Sequence, residues 1–115
     1  MTWQTICELS DILPFGGRCA LIEGKQVAIF RVPQESGDQL FAVSNYDPFS
    51  QANVLSRGLV GSLDDKTVVA SPIYKQHFDL TTGQCIEDDS VCIETWDVQL
   101  DGQSIQIALK EAAAA

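Results

Sequence analysis

The feature that most constrains this sequence is a β-branched run that stops at a proline. Val68–Ala70 predicts a strand, Pro72 ends it, and a short alternating strand follows in which Phe78 and Leu80 share one face. The run then reaches Gly83, a residue that favours a tight turn. The pattern predicts two short strands joined by a loop.

Length and charge limit the class of protein. The chain has 115 residues, enough for one domain, which we place at residues 1–111 with a frayed tail at 112–115. Its formal net charge of −9 argues against a nucleic-acid partner, because phosphate binding requires a basic surface. The same charge argues against binding to an anionic membrane surface.

The sequence favours a cytoplasmic protein with reduced thiols. No run is long and apolar enough to span a membrane, and the start of the chain lacks the basic and apolar parts of a signal peptide. In that compartment we expect all four cysteines to be free thiols, and no two of them form a Cys-x-x-Cys pair that would support a zinc site. These cysteines are Cys7, Cys19, Cys85 and Cys92.

Several further strands are predicted from alternation and turn signals. Arg18–Glu23 and Lys25–Val32 form a hairpin around Gly24, and Val27–Phe30 is apolar on both faces, as in a central strand between two packed layers. Leu59–Leu63 is predicted to be short and irregular.

The end of the chain predicts a second hairpin. Trp96–Leu100 and Ser104–Leu109 flank Asp101-Gly102, a favoured two-residue turn, while Gln84–Cys92 is acidic and is predicted to be an exposed connection. Roughly ten short strands with no long helical period predict an all-β sandwich.

Two loops of the sequence resemble the ligand loops of Rieske iron–sulfur domains. Asn45–Gly58 is similar to the first loop, Asn-x-Cys-Pro-His-x-Gly-Ala-x-Leu-Ser-x-Gly. Ser71–Lys75, followed by Phe78–Gly83, is similar to the second, Cys-Pro-x-His-Gly running into Phe-Asp-Leu-x-x-Gly. The resemblance spans most of the chain, and it implies a Rieske-like sandwich of short antiparallel strands with two inserted loops.

The four ligand positions of that motif hold other residues in this chain. Asp47 and Ser71 stand at the cysteine positions, and Phe49 and Tyr74 stand at the histidine positions. A Rieske cluster needs two thiolates on one iron and two imidazoles on the other. A carboxylate, a hydroxyl, a benzyl ring and a phenol do not replace those donors. We therefore expect no catalytic residue, no metal ligand and no cofactor-binding residue in this chain.

Each polar candidate has an ordinary alternative. Asp47 could act as a general base or a metal ligand, but Asp before Pro more often caps a turn through its own side chain, and we favour that role. Ser71 lacks the Gly-x-Ser-x-Gly context of an activated nucleophile. His77 is predicted to be a half-exposed strand residue.

The remaining loop residues are candidates for contact with a partner. Phe49 and Tyr74 could form an aromatic binding surface or fill the space that a cluster occupies, and the sequence leaves both open. Arg57 and Lys75 break the acidic background on the two loops, either as partner contacts or as solvated charges.

Ligand-free Rieske-like chains of this size resemble the small subunits of bacterial NAD(P)H-dependent nitrite reductases. The resemblance implies a non-catalytic subunit that stabilises or completes a large subunit, which carries FAD, siroheme and an iron–sulfur cluster and reduces nitrite to ammonium. The alternatives are a Rieske-type ferredoxin that carries electrons and a stand-alone β domain that binds another molecule.

Overall fold

The computed structural model describes residues 2–109, and every regular element in that range is a strand or a 3₁₀ helix. The predicted frayed tail at 112–115 lies outside the described residues. None of the described elements is a helix able to cross a membrane. The strands, in chain order, are β1 (Thr2–Glu8), β2 (Gly17–Ile22), β3 (Lys25–Gln34), β4 (Gly37–Ser44), β5 (Tyr46–Asp47), β6 (Ala52–Asn53), β7 (Leu59–Leu63), β8 (Lys66–Ala70), β9 (His77–Asp79), β10 (Thr95–Trp96), β11 (Val98–Asp101) and β12 (Ser104–Leu109). The 3₁₀ helices are Leu9–Asp11 and Leu55–Arg57.

A central sheet with strand order β10-β4-β3-β2 packs on both of its faces. Val27 and Ile29 of β3 lie in one hydrophobic cluster, and Ala28 and Phe30 lie in another. All four of these side chains are fully buried. The prediction of a central strand between two layers is confirmed, because alternate side chains of a strand point to opposite faces of its sheet.

The two outer sheets cover the two faces of the central one. The sheet β1-β12-β11 contributes Ile105 and Ile107 to the cluster that holds Val27. The sheet β7-β8-β9 contributes Val69 and Phe78 to the cluster that holds Phe30. The all-β antiparallel architecture predicted from the sequence is confirmed, with twelve strands in four sheets among residues 2–109.

The segment predicted to be irregular is a regular strand. Leu59–Leu63 pairs with Lys66–Ala70 over five residues without a register shift, so that prediction was wrong. Asp64 and Asp65 form the two-residue turn between them, with φ of 51° and 63°. Two left-handed residues in a row make a type I′ turn, whose twist suits a hairpin and fixes the register of both strands.

The C-terminal hairpin differs from the prediction in two details. Trp96 belongs to β10 and pairs with β4, so the chain changes sheets at Asp97 before β11 begins. The turn is Gly102-Gln103, since Asp101 pairs with Ser104. Gly102 has φ of +64°, and a glycine at the first turn position favours a type II′ turn rather than the predicted Asp-Gly turn.

The acidic connection is only partly exposed. Cys85 is 1% exposed and bridges Phe78 of β9, which makes residues 84–86 an additional partner for that strand. The predicted exposure applies to Gln84, to residues 87–90 and to Cys92.

Candidate functional site

The first loop follows β4 and is organised by Asn45, which is buried. Its carbonyl oxygen accepts the N–H of Leu55 at 3.1 Å, and its Oδ1 accepts the N–H of Ser56 at 2.6 Å. Its Nδ2 donates to Oε1 of Gln26 on β3 at 3.0 Å. Asn45 thus ties the two ends of the loop to the central sheet, which explains the asparagine that opens the motif.

The second loop joins β8 to β9 and closes on its own backbone. The N–H of Ser71 donates to the carbonyl of Gln76 at 2.9 Å, and the N–H of Lys75 donates to the carbonyl of Ser71 at 3.1 Å. Lys75 adopts φ of 65°, a left-handed conformation that reverses the chain. Residues 72–75 therefore project beyond the ends of the two strands.

The two loops meet at Asp47 and Ser71. Oγ of Ser71 donates to Oδ2 of Asp47 at 2.5 Å, and both residues are buried, at 2% and 0% exposure. The other carboxylate oxygen, Oδ1, accepts the N–H of Phe49 at 2.9 Å. The second of these bonds is the side-chain turn cap predicted for an aspartate before proline.

The environment of Asp47 holds its carboxyl in the ionised form. Burial by itself raises the pKa of Asp47, but hydrogen bonds, the strongest of them from the Ser71 hydroxyl and the Phe49 N–H, together outweigh burial and lower the pKa below its usual value. A carboxylate with a lowered pKa is a weak base. Its geometry therefore suits a structural acceptor and not the general base considered from the sequence.

The two aromatic positions have different environments. Phe49 is half-buried, and its ring packs against the ring of Phe78 with centroids 6.1 Å apart. Tyr74 is 61% exposed. Of the two roles that the sequence left open, filling space suits Phe49, whose ring joins the core, and a binding surface suits Tyr74, which is exposed. The loops themselves are joined by a hydrogen bond.

The residues at the ligand positions do not fit a Rieske cluster. The cysteine positions hold a carboxylate and a hydroxyl bonded directly to each other, and the histidine positions hold one packed and one exposed aromatic ring. Cluster irons require thiolate and imidazole donors, which none of the four supplies. Among residues 2–109, no three His, Cys, Asp or Glu side chains are grouped so as to hold a metal ion.

Side chains around the two loops form an exposed surface that we call the tip patch. Arg57 and Lys75, which the sequence left as either partner contacts or solvated charges, are both exposed there. Leu59 and Ile73 were not predicted, and they are 80% and 46% exposed. Leu59 pairs in register with Ala70, which places it at the same end of the sheet as the second loop. The tip patch consists of Arg57, Leu59, Ile73, Tyr74 and Lys75.

A histidine–glutamate pair fastens the acidic connection to β9. Nδ1 of His77 lies 2.7 Å from Oε2 of Glu87, and the N–H of His77 donates to Oε1 at 2.7 Å. Burial raises the pKa of Glu87, and the hydrogen bonds from His77 outweigh it, so that the pKa is lowered. The His77 side chain is 34% exposed, as predicted for a half-exposed strand residue, but its partner was missed because it lies in a run that looked solvated.

Comparison with known proteins places the fold and the loops in one family. The sequence pattern of the Rieske-like [2Fe-2S] domain matches residues 2–108. The chain belongs to this family of Rieske-like domains.

The relatives narrow the assignment. The nitrite reductase (NADH) small subunit of Salmonella typhimurium is 49% identical over 91% of this chain and 95% of its own length. The solution structure of the nitrite reductase NAD(P)H small subunit from Erwinia carotovora is 45% identical, with a TM-score of 0.78 over 98% of this chain and 85% of that one. Within the Rieske-like domains, the chain belongs to the nitrite reductase small-subunit family.

A third relative has a different architecture. The nitrite reductase NAD(P)H large subunit of Klebsiella oxytoca is 35% identical over 97% of this chain, but the match covers only 11% of that protein. A domain homologous to nearly the whole of this chain is thus part of a much longer large-subunit polypeptide in that organism.

Proposed function

We propose that this chain is a non-catalytic small subunit of an NAD(P)H-dependent nitrite reductase, and that it stabilises or completes the large subunit without a cofactor of its own. The observation that carries the proposal is the direct hydrogen bond between Ser71 and Asp47. In a chain of this family, that bond occupies the positions that would hold the two cysteine ligands. In this proposal the loops are joined by protein groups alone. The chain keeps the loop surface of a Rieske domain for binding a partner, and it does not transfer electrons.

The partner in this proposal is the large subunit. The Klebsiella oxytoca protein supports it, because a domain similar to this chain lies within the same polypeptide as a nitrite reductase large subunit. Domains joined covalently in one organism and separate in another commonly contact each other in both. In this proposal the large subunit carries the FAD, the siroheme and the iron–sulfur cluster, and reduces nitrite to ammonium. In this proposal the complex is cytoplasmic, which the unpaired thiols of the chain and the use of NAD(P)H support.

The tip patch is the contact surface in this proposal. Its apolar members are Leu59, Ile73 and Tyr74, all of them exposed. Arg57 and Lys75 give it positive charge, although the chain has only seven basic residues against sixteen acidic ones. Tyrosine and arginine are enriched among the residues that dominate binding energy at interfaces, which favours Tyr74 and Arg57 as the main contacts.

Copurification tests the proposal. A tagged large subunit should retain the untagged chain at constant stoichiometry through size-exclusion chromatography, and its NAD(P)H-dependent nitrite consumption should rise when the chain is present. The Tyr74→Ala and Arg57→Glu variants should weaken retention. Leu21→Ala is the control, since Leu21 is a 70% exposed leucine on β2, outside the tip patch. A large subunit that neither binds the chain nor changes activity with it would contradict the proposal.

A further inference from the structure

The outer edge of β7 lacks the devices that normally protect an exposed strand. Natural edge strands carry charges, prolines or bulges, because an open row of N–H and C=O groups recruits other strands. β7 reads Leu-Val-Gly-Ser-Leu, pairs with β8 without a bulge, and has no described neighbour on its other side.

The other long edge strands of the described chain are protected. β1 ends at Glu8 and has a register shift between Thr5 and Cys7. β2 carries Arg18 and β11 carries Asp101, while the edge strand β10 is only two residues long. Although 20% of the residues in the sequence are charged, the five residues of β7 include no charge and no proline.

The turn fixes which backbone groups of β7 point outward. A two-residue turn makes Leu63 and Lys66 exchange both hydrogen bonds, so every second residue of β7 bonds to β8. The N–H and C=O groups of Val60 and Ser62 therefore point to the outer edge.

The far side of β8 agrees with this assignment. Thr67 is opposite Ser62 in register, and its carbonyl accepts the N–H of Leu80 at 2.9 Å on the side away from β7. Ser62 and Thr67 therefore form a non-hydrogen-bonded pair, and the backbone N–H and C=O of Ser62 remain available at the outer edge.

We infer that the outer edge of β7 is a docking site for an extended segment of the large subunit, which adds a strand to the sheet through Val60 and Ser62. This inference rests on the proposed function and specifies how the partner binds. The edge begins at Leu59, so it is continuous with the tip patch. Gly61 leaves the sheet face beside this edge uncovered, since a Cβ at this position would have no atom within 4 Å.

A second copy of this chain is the competing occupant. Edge-to-edge pairing of two copies would bring together two chains that each carry a net charge of −9, and that repulsion disfavours it. The backbone hydrogen bonds of an added strand supply affinity without requiring a particular side chain on the partner.

Ser62→Pro tests the edge directly. Proline removes the outward N–H of Ser62 but none of the hydrogen bonds to β8, and the preceding Gly61 tolerates the restriction that proline imposes. Ser62→Ala is the matched control, because it keeps the N–H and removes only an exposed hydroxyl. We expect Ser62→Pro to weaken binding to the purified large subunit about tenfold or more, and Ser62→Ala to bind like the parent chain.

Amide hydrogen exchange gives a second readout that needs no variant. In the free chain the amides of Val60 and Ser62 should exchange fast, and those of Gly61 and Leu63 slowly. Adding the large subunit should slow hydrogen exchange at the amides of Val60 and Ser62 by about a hundredfold. Slow exchange of both amides in the free chain that depends on its concentration would identify a second copy as the occupant and overturn the inference.

The outcomes separate the inference from the proposed function. If the parent chain does not bind the large subunit, the proposed function fails. If the parent binds, and Ser62→Pro binds equally well with unchanged exchange at Val60 and Ser62, the edge inference fails and the proposed function stands.

Discussion

Oγ of Ser71 donates a hydrogen bond to Oδ2 of Asp47 at 2.5 Å, joining two loops whose residues lie 24 positions apart in the chain. Both side chains are buried, and the Phe49 N–H donates to the remaining carboxylate oxygen. A buried carboxylate costs free energy unless its oxygens are bonded, so the two loops depend on each other for their conformation. In a Rieske domain the metal cluster holds the equivalent loops, and here a pair of side chains does so.

Removing this hydrogen bond should destabilise the chain. We expect Ser71→Ala to lower the free energy of unfolding by about 1–3 kcal/mol, because it leaves a buried carboxylate oxygen without its donor. Ser90→Ala, which removes an exposed hydroxyl bonded to Asp88, should change it by less than about 0.5 kcal/mol. Urea unfolding followed by circular dichroism measures both.

A double-mutant cycle with Asp47→Ala isolates the interaction. The two single changes should be non-additive, with a coupling free energy of about 0.5–3 kcal/mol. Additive effects would show that Asp47 and Ser71 contribute to stability independently.

The lowered pKa of Asp47 predicts a dependence of stability on pH. The folded pKa lies below the unfolded value of about 3.9, so the unfolded chain binds more protons between the two values. The stabilising contribution of Asp47 is therefore present above about pH 4 and is lost as the pH falls through the folded pKa. In the Asp47→Asn variant the free energy of unfolding should fall less steeply as the pH is lowered than it does in the parent chain. Unfolding at a series of pH values measures both slopes. An unchanged slope would show that Asp47 is not held as an ionised acceptor.

Gly83 should tolerate alanine much less than Gly24. The two glycines have nearly equal φ, 81° and 82°, so both substitutions carry the same backbone strain of about 1–2 kcal/mol. A Cβ at Gly83 would clash with the carbonyl oxygen of Ile93, whereas nothing lies within 4 Å at Gly24. Thermal unfolding should show a clearly larger decrease in Tm for Gly83→Ala. Equal decreases would mean that the turn can open away from Ile93.

The two loops could be predicted from the sequence because individual positions in and beside them accept few residue types. Asn45 and Gly83 are fixed by backbone hydrogen bonds and by a close approach, and such positions accept few residue types. The double-sided burial of Val27–Phe30 was predictable from a continuous apolar run.

The features that were missed depend on contacts distant in sequence. The regular strand Leu59–Leu63 is defined by its partner β8, and its weak alternation gave no sign of that pairing. The exposure of Leu59 at the tip follows from the same register. Glu87 lies ten residues from His77, and only the packing of the connection on β9 brings the two together.

The four cysteines should be distinguishable by their reactivity. Thiol titration after denaturation without reductant should give four free thiols, since all four are unpaired in the structure. In the folded chain the exposed Cys19 and Cys92 should react with a disulfide reagent before Cys85, because the Cys85 thiol is buried and a reagent cannot reach it. Finding two thiols after denaturation would reveal a disulfide and contradict the assignment to a reducing compartment.

The most direct test of a small subunit that works without its own cluster is a titration of the purified large subunit with the chain in two matched preparations. One is grown without added iron and treated with a chelator, and the other is grown and reconstituted with iron and sulfide. NAD(P)H-dependent nitrite consumption is measured at each ratio of chain to large subunit. The account predicts that both preparations raise the activity to the same plateau at the same ratio, and that the chain retains no iron after gel filtration. Activity that rises only with an iron-loaded chain would contradict it.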